Sequence, residues 1–133
     1  MSAKILVIDD EQKIVSLLKT FLESKKMAVV TATDGEEGMA VALREQPDLV
    51  LCDVKMPKKD GYTFLKEFRE QIPKRCPFIF VTAKEEPQDI MTGYRLDADF
   101  YVTKPFKLDV LYDNIEKLLR LAPLIKPKDE QAS

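Results

Sequence analysis

Five short apolar runs alternate with longer amphipathic stretches from one end of the chain to the other. This is the pattern of an α/β fold built on a parallel sheet, in which each strand is followed by a helix that crosses back over it. The runs are Lys4 to Ile8, Ala28 to Ala32, Leu49 to Cys52, Phe78 to Val81 and Phe100 to Thr103. Each is rich in Val, Ile, Leu or Phe, and they read as buried strands. Between them, Ile14, Leu17, Leu18, Phe21 and Leu22 recur at helical spacing, as do Leu108, Leu111, Ile115, Leu118 and Leu119, predicting the first and last helices. Asp34, with Glu37 three residues on, has the form of an N-cap and capping-box partner opening a second helix that ends before Pro47. Gly61 to Gln71 supplies a third, with Phe64, Leu65 and Phe68 inward. A fourth, from Glu86 to Leu96, is interrupted by Gly93 and carries few apolar residues, so mobility is expected there. The alternation stops after Ala122, predicting one domain over residues 1–122 and a polar, proline-punctuated tail over 123–133 that is either a free end or the start of a linker.

Composition narrows the chemistry. The 133 residues include no histidine, which removes Ser/His and Cys/His triads, histidine zinc sites and the usual general base. Catalysis must run on carboxylates, Lys, Thr and backbone. A net charge of −2 gives no footprint for gripping nucleic acid. Cys52 and Cys76 lack CxxC spacing and read as small buried hydrophobes. The N-terminal stretch MSAKILVIDDE is too short in apolar residues for a signal peptide or membrane span, so a cytoplasmic location is expected.

All strands of a parallel sheet present their carboxyl ends at one edge, where ligands bind. After the first run come Asp9 and Asp10, after the third Asp53, after the fourth Thr82, and after the fifth Lys104 with Pro105. Singly, each has a plainer reading: an N-cap pair, a turn residue, a solvated lysine. Together they would bring three carboxylates, a hydroxyl and an ammonium to one edge, a set that suits a phosphoryl group and a hard cation. Mg²⁺ would relieve the carboxylate repulsion, with Asp10 and Asp53 as direct ligands and Asp9 acting through water. Asp53 would be the nucleophile of aspartyl-phosphate chemistry, with Lys104 and Thr82 stabilising the transferring oxygens. The chain has neither a histidine nor a nucleotide-binding glycine loop, so the phosphoryl group must come from a partner.

These residues carry a resemblance over roughly residues 3–122. Asp9-Asp10, Asp53-Val54-Lys55-Met56-Pro57-Lys58-Lys59-Asp60-Gly61, Val81-Thr82-Ala83 and Lys104-Pro105-Phe106 stand in the order and spacing of the receiver domains of two-component response regulators, which the chain resembles. The resemblance implies a doubly wound, flavodoxin-like sheet in the order 2-1-3-4-5 with five flanking helices. It implies Asp53 as phosphoacceptor, and Asp9, Asp10, Asp53 and the backbone carbonyl of Lys55 as the Mg²⁺ (or Mn²⁺) site. Thr82 and Lys104 become phosphate sensors, and Tyr101 the switch aromatic. The implied donor is a phosphohistidine on a sensor histidine kinase or phosphotransfer protein. The implied output is a changed surface on the fourth helix, fifth strand and fifth helix, offered to an unknown target or output domain. Beyond its own phosphorylation and autodephosphorylation no enzymatic activity is expected. Two features depart or vary: Asp97-Ala98 stands where Gly-Ala is common, straining a left-handed turn, and Lys55 and Lys84 occupy positions that tune phosphate lifetime. Two rivals remain: a degenerate receiver acting as a phosphate-independent binding module, and a haloacid-dehalogenase-like phosphatase. The second wants an Asp-x-Asp nucleophile after the first strand, whereas Asp53-Val54-Lys55 follows the third.

Overall fold

The strands β1 (Lys4–Ile8), β2 (Ala28–Ala32), β3 (Leu49–Cys52), β4 (Phe78–Thr82) and β5 (Phe100–Thr103) form one sheet in the order β2-β1-β3-β4-β5, every pairing parallel. The structure, a computed structural model, describes residues 2–72, 75–83 and 87–124. Helices α1 (Gln12–Ser24), α2 (Gly35–Glu45), α3 (Gly61–Gln71), α4 (Pro87–Arg95) and α5 (Leu108–Leu121) follow the strands in turn, and a 3-10 turn, Ala122–Leu124, ends the described chain. Pro123 and Leu124 of the expected tail thus belong to that turn. Residues 125–133 lie outside the described residues, as does Glu86, the expected start of the fourth helix.

Successive strand residues point to opposite faces, and both faces are covered. Leu6, Ile8, Val50, Cys52, Phe78 and Phe80 pack with α2 and α3, where Phe64, Phe68, Phe78 and Phe80 form a chain of ring contacts at centroid separations of 5.1–5.9 Å. Ile5, Val7, Leu49, Leu51, Ile79 and Val81 pack with Val15, Leu18 and Leu22 of α1 and Leu111 and Ile115 of α5. Of the five strands only β3 and β4 are buried throughout. The edge strand β2 leaves Ala28 and Thr31 exposed, against the expectation of burial, because it has a neighbour on one side alone.

The stripe expected on α1 is also rotated. Leu18 and Leu22 are buried, yet Leu17 is 46% exposed and Val15 is buried in its place. Val15, Leu18 and Leu22 share one face, whereas Leu17 sits about 100° round from Leu18. On β4 the strand runs one residue further than expected. Thr82 pairs with Thr103 and its carbonyl accepts from the Lys104 N–H at 2.8 Å, so the ladder holds it in line.

Caps fix where the helices begin and end. Asp34 accepts from Glu37 N–H at 2.9 Å, while the Glu37 carboxylate accepts from Thr33 N–H at 2.6 Å, one residue before the position a capping box would use. Asp60 caps α3 through Thr63 N–H at 2.8 Å. At the far end of α4, Asp97 takes the left-handed conformation with φ of 75°. The Ala98 N–H bonds to the Gly93 carbonyl and the Asp97 N–H to the Tyr94 carbonyl, a Schellman pattern that stops the helix at Arg95. The turn is anchored from α3, since Arg69 donates to the Asp97 carbonyl and to the Asp99 carboxylate, both at 3.0 Å, and Arg75 also pairs with Asp99.

Gly61 opens α3 at a place where no side chain fits. A Cβ there would stand 2.3 Å from the Asp53 carbonyl oxygen and 2.9 Å from Val54 Cα, both backbone atoms. The Gly61 N–H donates to the Val54 carbonyl at 2.7 Å, closing the loop after β3. Gly61→Ala is expected to lower stability by about 2–3 kcal/mol through this overpacking; an unchanged urea midpoint would show that the loop can move aside freely.

Candidate functional site

The carboxyl edge of the sheet gathers the expected residues because the backbone continues the ladder past each strand. The Asp9 N–H bonds to the Ala32 carbonyl at 3.1 Å, the Asp53 N–H to the Ile8 carbonyl at 3.0 Å and the Lys104 N–H to the Thr82 carbonyl at 2.8 Å. Since Ile8 pairs with Cys52, Asp9 and Asp53 emerge side by side at the centre of the sheet. Asp9 and Asp53 are buried, at 2% and 6% exposure, and Asp10 is exposed. One carboxylate oxygen of each lies within 4.8 Å of those of the other two.

The Lys104 ammonium binds this cluster on one side. It donates to Asp9 Oδ2 at 2.9 Å, Asp53 Oδ2 at 3.1 Å and Glu11 Oε1 at 2.8 Å. Asp9 Oδ1 accepts from the Glu11 N–H at 2.9 Å, so both Asp9 oxygens are engaged. Asp53 Oδ1 faces the Lys55 N–H at the long distance of 3.4 Å. Burial raises the Asp9 pKa, and the Asp53 charge adds to that, against hydrogen bonds from Glu11 and Lys104 that lower it. Burial alone would lower the Lys104 pKa, but Glu11, Asp9 and Asp53 together hold it above its ordinary value, so the ammonium stays charged. Cys52, as expected a small buried residue, donates its thiol to the Asp53 carbonyl at 3.1 Å, and burial pushes that thiol up.

Thr82 is buried at the end of β4, on the face that also carries Phe80. Tyr101 lies beside Phe80 in register and on the same face, buried at 8% exposure rather than on the surface. Lys55 is exposed, and Lys84 falls outside the described residues. Two contributors escaped the sequence reading. Glu11 directly follows Asp9-Asp10 and extends that acidic run to three residues, a signal that was available. Tyr62, the second residue of α3, reaches the site region only through the fold, and nothing in its neighbourhood along the chain announces it. Among the described residues no helix is long and apolar enough to cross a membrane.

Residues 5–116 match the response regulator receiver domain family. Among curated proteins the chain is 42% identical over 130 residues to the alkaline phosphatase synthesis transcriptional regulatory protein PhoP of Bacillus subtilis, covering 98% of this chain and 54% of that protein. It is 39% identical over 117 residues to the transcriptional regulatory protein RprY of Bacteroides fragilis, covering 88% and 49% respectively. The chain therefore spans about half the length of these relatives. Among solved structures, a CheY-like response regulator receiver domain protein from Methanospirillum hungatei superposes with a TM-score of 0.87 at 27% identity over 92% of this chain and 98% of that one. The BeF3-activated N-terminal receiver domain of Klebsiella pneumoniae RstA gives 0.83 at 29% identity over 88% and 98%. With the family model and the fold in agreement, the chain belongs to the receiver domains of two-component response regulators.

Proposed function

We propose that this chain is a phosphorylation-operated signalling switch in which Asp53 accepts a phosphoryl group from a phosphohistidine of a sensor histidine kinase or phosphotransfer protein. The observation that carries the reading is a buried Asp53 carboxylate within 4.8 Å of those of Asp9 and Asp10 and 3.1 Å from the Lys104 ammonium. Membership of the receiver family is consistent with phosphorylation-dependent signalling.

In the transfer, an Asp53 carboxylate oxygen bonds to phosphorus as the P–N bond to the donor imidazole breaks, and the imidazole leaves with the electron pair and takes up a proton. Asp53 becomes an acyl phosphate. The three carboxylates form an oxygen-only donor set from two strand ends, with Asp10 open to solvent, and this set fits a hard divalent cation. Asp10, Asp53 and the Lys55 carbonyl would hold Mg²⁺, or Mn²⁺ in its place, with Asp9 acting through water since both its oxygens are engaged. Bound there, the metal would supply positive charge to the transferring oxygens. Lys104 moves its hydrogen bonds from the carboxylates to a phosphoryl oxygen, and the Thr82 hydroxyl donates to another. The pull on Thr82 and the inward Tyr101 then favour one of two conformations, changing the face made by α4, β5 and α5. No turnover of external substrate is assigned to the chain beyond gain and loss of its own phosphoryl group.

The relatives' names point to transcriptional regulation as the output, executed from the cytoplasm. With a net charge of −2, this domain is assigned no nucleic-acid contact of its own. Residues 1–122 are proposed as the receiver unit, with 123–133 leading out of it.

Acetyl phosphate with Mg²⁺ should add about 80 Da to the wild type and nothing to Asp53→Asn; equal labelling of both by intact-mass measurement would overturn the acceptor assignment. In titration calorimetry, Mg²⁺ should bind the wild type at millimolar concentration and Asp10→Asn about tenfold more weakly, whereas a wild type silent to the metal would favour the phosphate-independent module. Lys104→Met should cost about 3 kcal/mol of stability in chelator, because Asp9 and Asp53 would be buried without a counter-charge. Added Mg²⁺ should restore part of that loss, and urea denaturation with and without the metal reads both effects.

A further inference from the structure

Tyr101 sits on the sheet face that carries α3 and α4, with its ring 5.8 Å from that of Phe80. Two features hold it there that the phosphoryl site does not require. Gly93, within α4, makes the space: a Cβ on it would lie 3.0 Å from Tyr101 Cδ2 and 3.1 Å from Phe80 Cδ2. The glycine that interrupts the helical pattern in the sequence is thus the place where the ring tucks under the helix. Tyr62 makes the second contact. Its ring meets Phe80 edge-on at 5.3 Å, so that Phe80 touches both tyrosine rings, and its hydroxyl donates to the backbone carbonyl of Asp89 at 2.8 Å.

A phenol has one proton to give. A carbonyl can only accept, so the Tyr62 proton goes to Asp89. Asp89 lies in the first turn of α4. One hydroxyl therefore joins α3 to the start of α4, and the ring that carries it shares Phe80 with Tyr101 of β5. Burial raises the Tyr62 pKa, so the hydroxyl keeps the proton it gives to Asp89 across the physiological range. Tyr62 also directly follows Gly61, the residue packed against the Asp53 carbonyl. The bridge is therefore one residue removed from backbone that touches the phosphoacceptor.

We propose that Tyr62 is a positioning residue of the switch, whose hydroxyl holds the first turn of α4 while its ring backs Phe80 against Tyr101, so that the inward pose of Tyr101 and the placement of α4 are set together. The consequence rests on the switch reading given above; the bridge itself rests on the contacts. Motion of α4 strains the Tyr62 bond to Asp89, and outward rotation of Tyr101 empties the space under Gly93 on which α4 rests. Each movement therefore loosens what holds the other.

The chain has four tyrosines and no tryptophan, which suits ¹⁹F NMR of the 3-fluorotyrosine-labelled protein, with resonances assigned by single Tyr→Phe variants. In Tyr62→Phe the Tyr101 resonance should move toward its solvent-exposed position. Amide exchange in α4 should quicken about fivefold while that of α1 and α5 stays unchanged. Beryllofluoride with Mg²⁺ should shift Tyr101 and α4 together in the wild type and separately in the variant, a loss of coupling that a merely structural role would not produce. A Tyr101 resonance and α4 exchange identical in wild type and Tyr62→Phe would overturn the bridge and leave the switch reading standing. A wild-type Tyr101 that ignores beryllofluoride would overturn the switch reading, and with it the positioning role, even where Tyr62→Phe moves the ring.

Discussion

Asp9, Asp53 and Glu11 share the single ammonium of Lys104, and much of the structure is arranged around that imbalance. Two of the three acids are buried where their charge is costly. The ammonium meets that cost only in part, and with Asp10 close by the cluster is short of positive charge. Such a site is strained toward whatever brings a cation. The same ammonium, held by three partners, is the group best placed to follow negative charge if it moves from a carboxylate to a phosphoryl oxygen.

That arrangement needs a rigid frame, and the sheet provides it. Asp9, Asp53 and Lys104 each carry a backbone hydrogen bond that continues the ladder beyond its strand, so the side chains start from fixed points. Behind them, the stacked rings of Phe64, Phe68, Phe78 and Phe80 fill one layer and the aliphatic residues packed with α1 and α5 fill the other. Gly61 lets the loop after β3 close against Asp53 without a side chain in the way. The contrast lies in α4. It has few apolar residues, and its far end is stopped by a left-handed aspartate held by Arg69. An element held by a few polar bonds rather than a broad apolar face can shift at low cost. It is also the element that Tyr62 and Tyr101 touch.

The parts legible in the sequence were those governed by local rules. Five apolar runs marked five strands, the Asp34 cap and the stop at Pro47 bounded the second helix, and the run from Gly61 to Gln71 marked the third. The misjudged parts were those in which a neighbour decides. Leu17 and Val15 exchanged places because the docking angle of α1, not its composition, selects which part of a broad apolar stripe faces the sheet. Thr82 joined β4 because Thr103 and Lys104 pair with it. The edge strand β2 was more open than its apolar content implied because exposure depends on strand order.

At the site the division is the same. By itself the sequence determined which chemical groups are present: an acidic pair after one strand, one acid after another, a threonine and a lysine after two more, and no histidine anywhere. Those are properties of residue type and of position at strand ends, which short-range periodicity encodes. Only the tertiary structure decided that Glu11 also binds Lys104, that Tyr101 is buried rather than on the surface, and that Tyr62 donates to the first turn of α4. Those contacts join residues from 27 to 93 positions apart, and no local pattern reports a distance that arises only when strands align in register and helices dock on them.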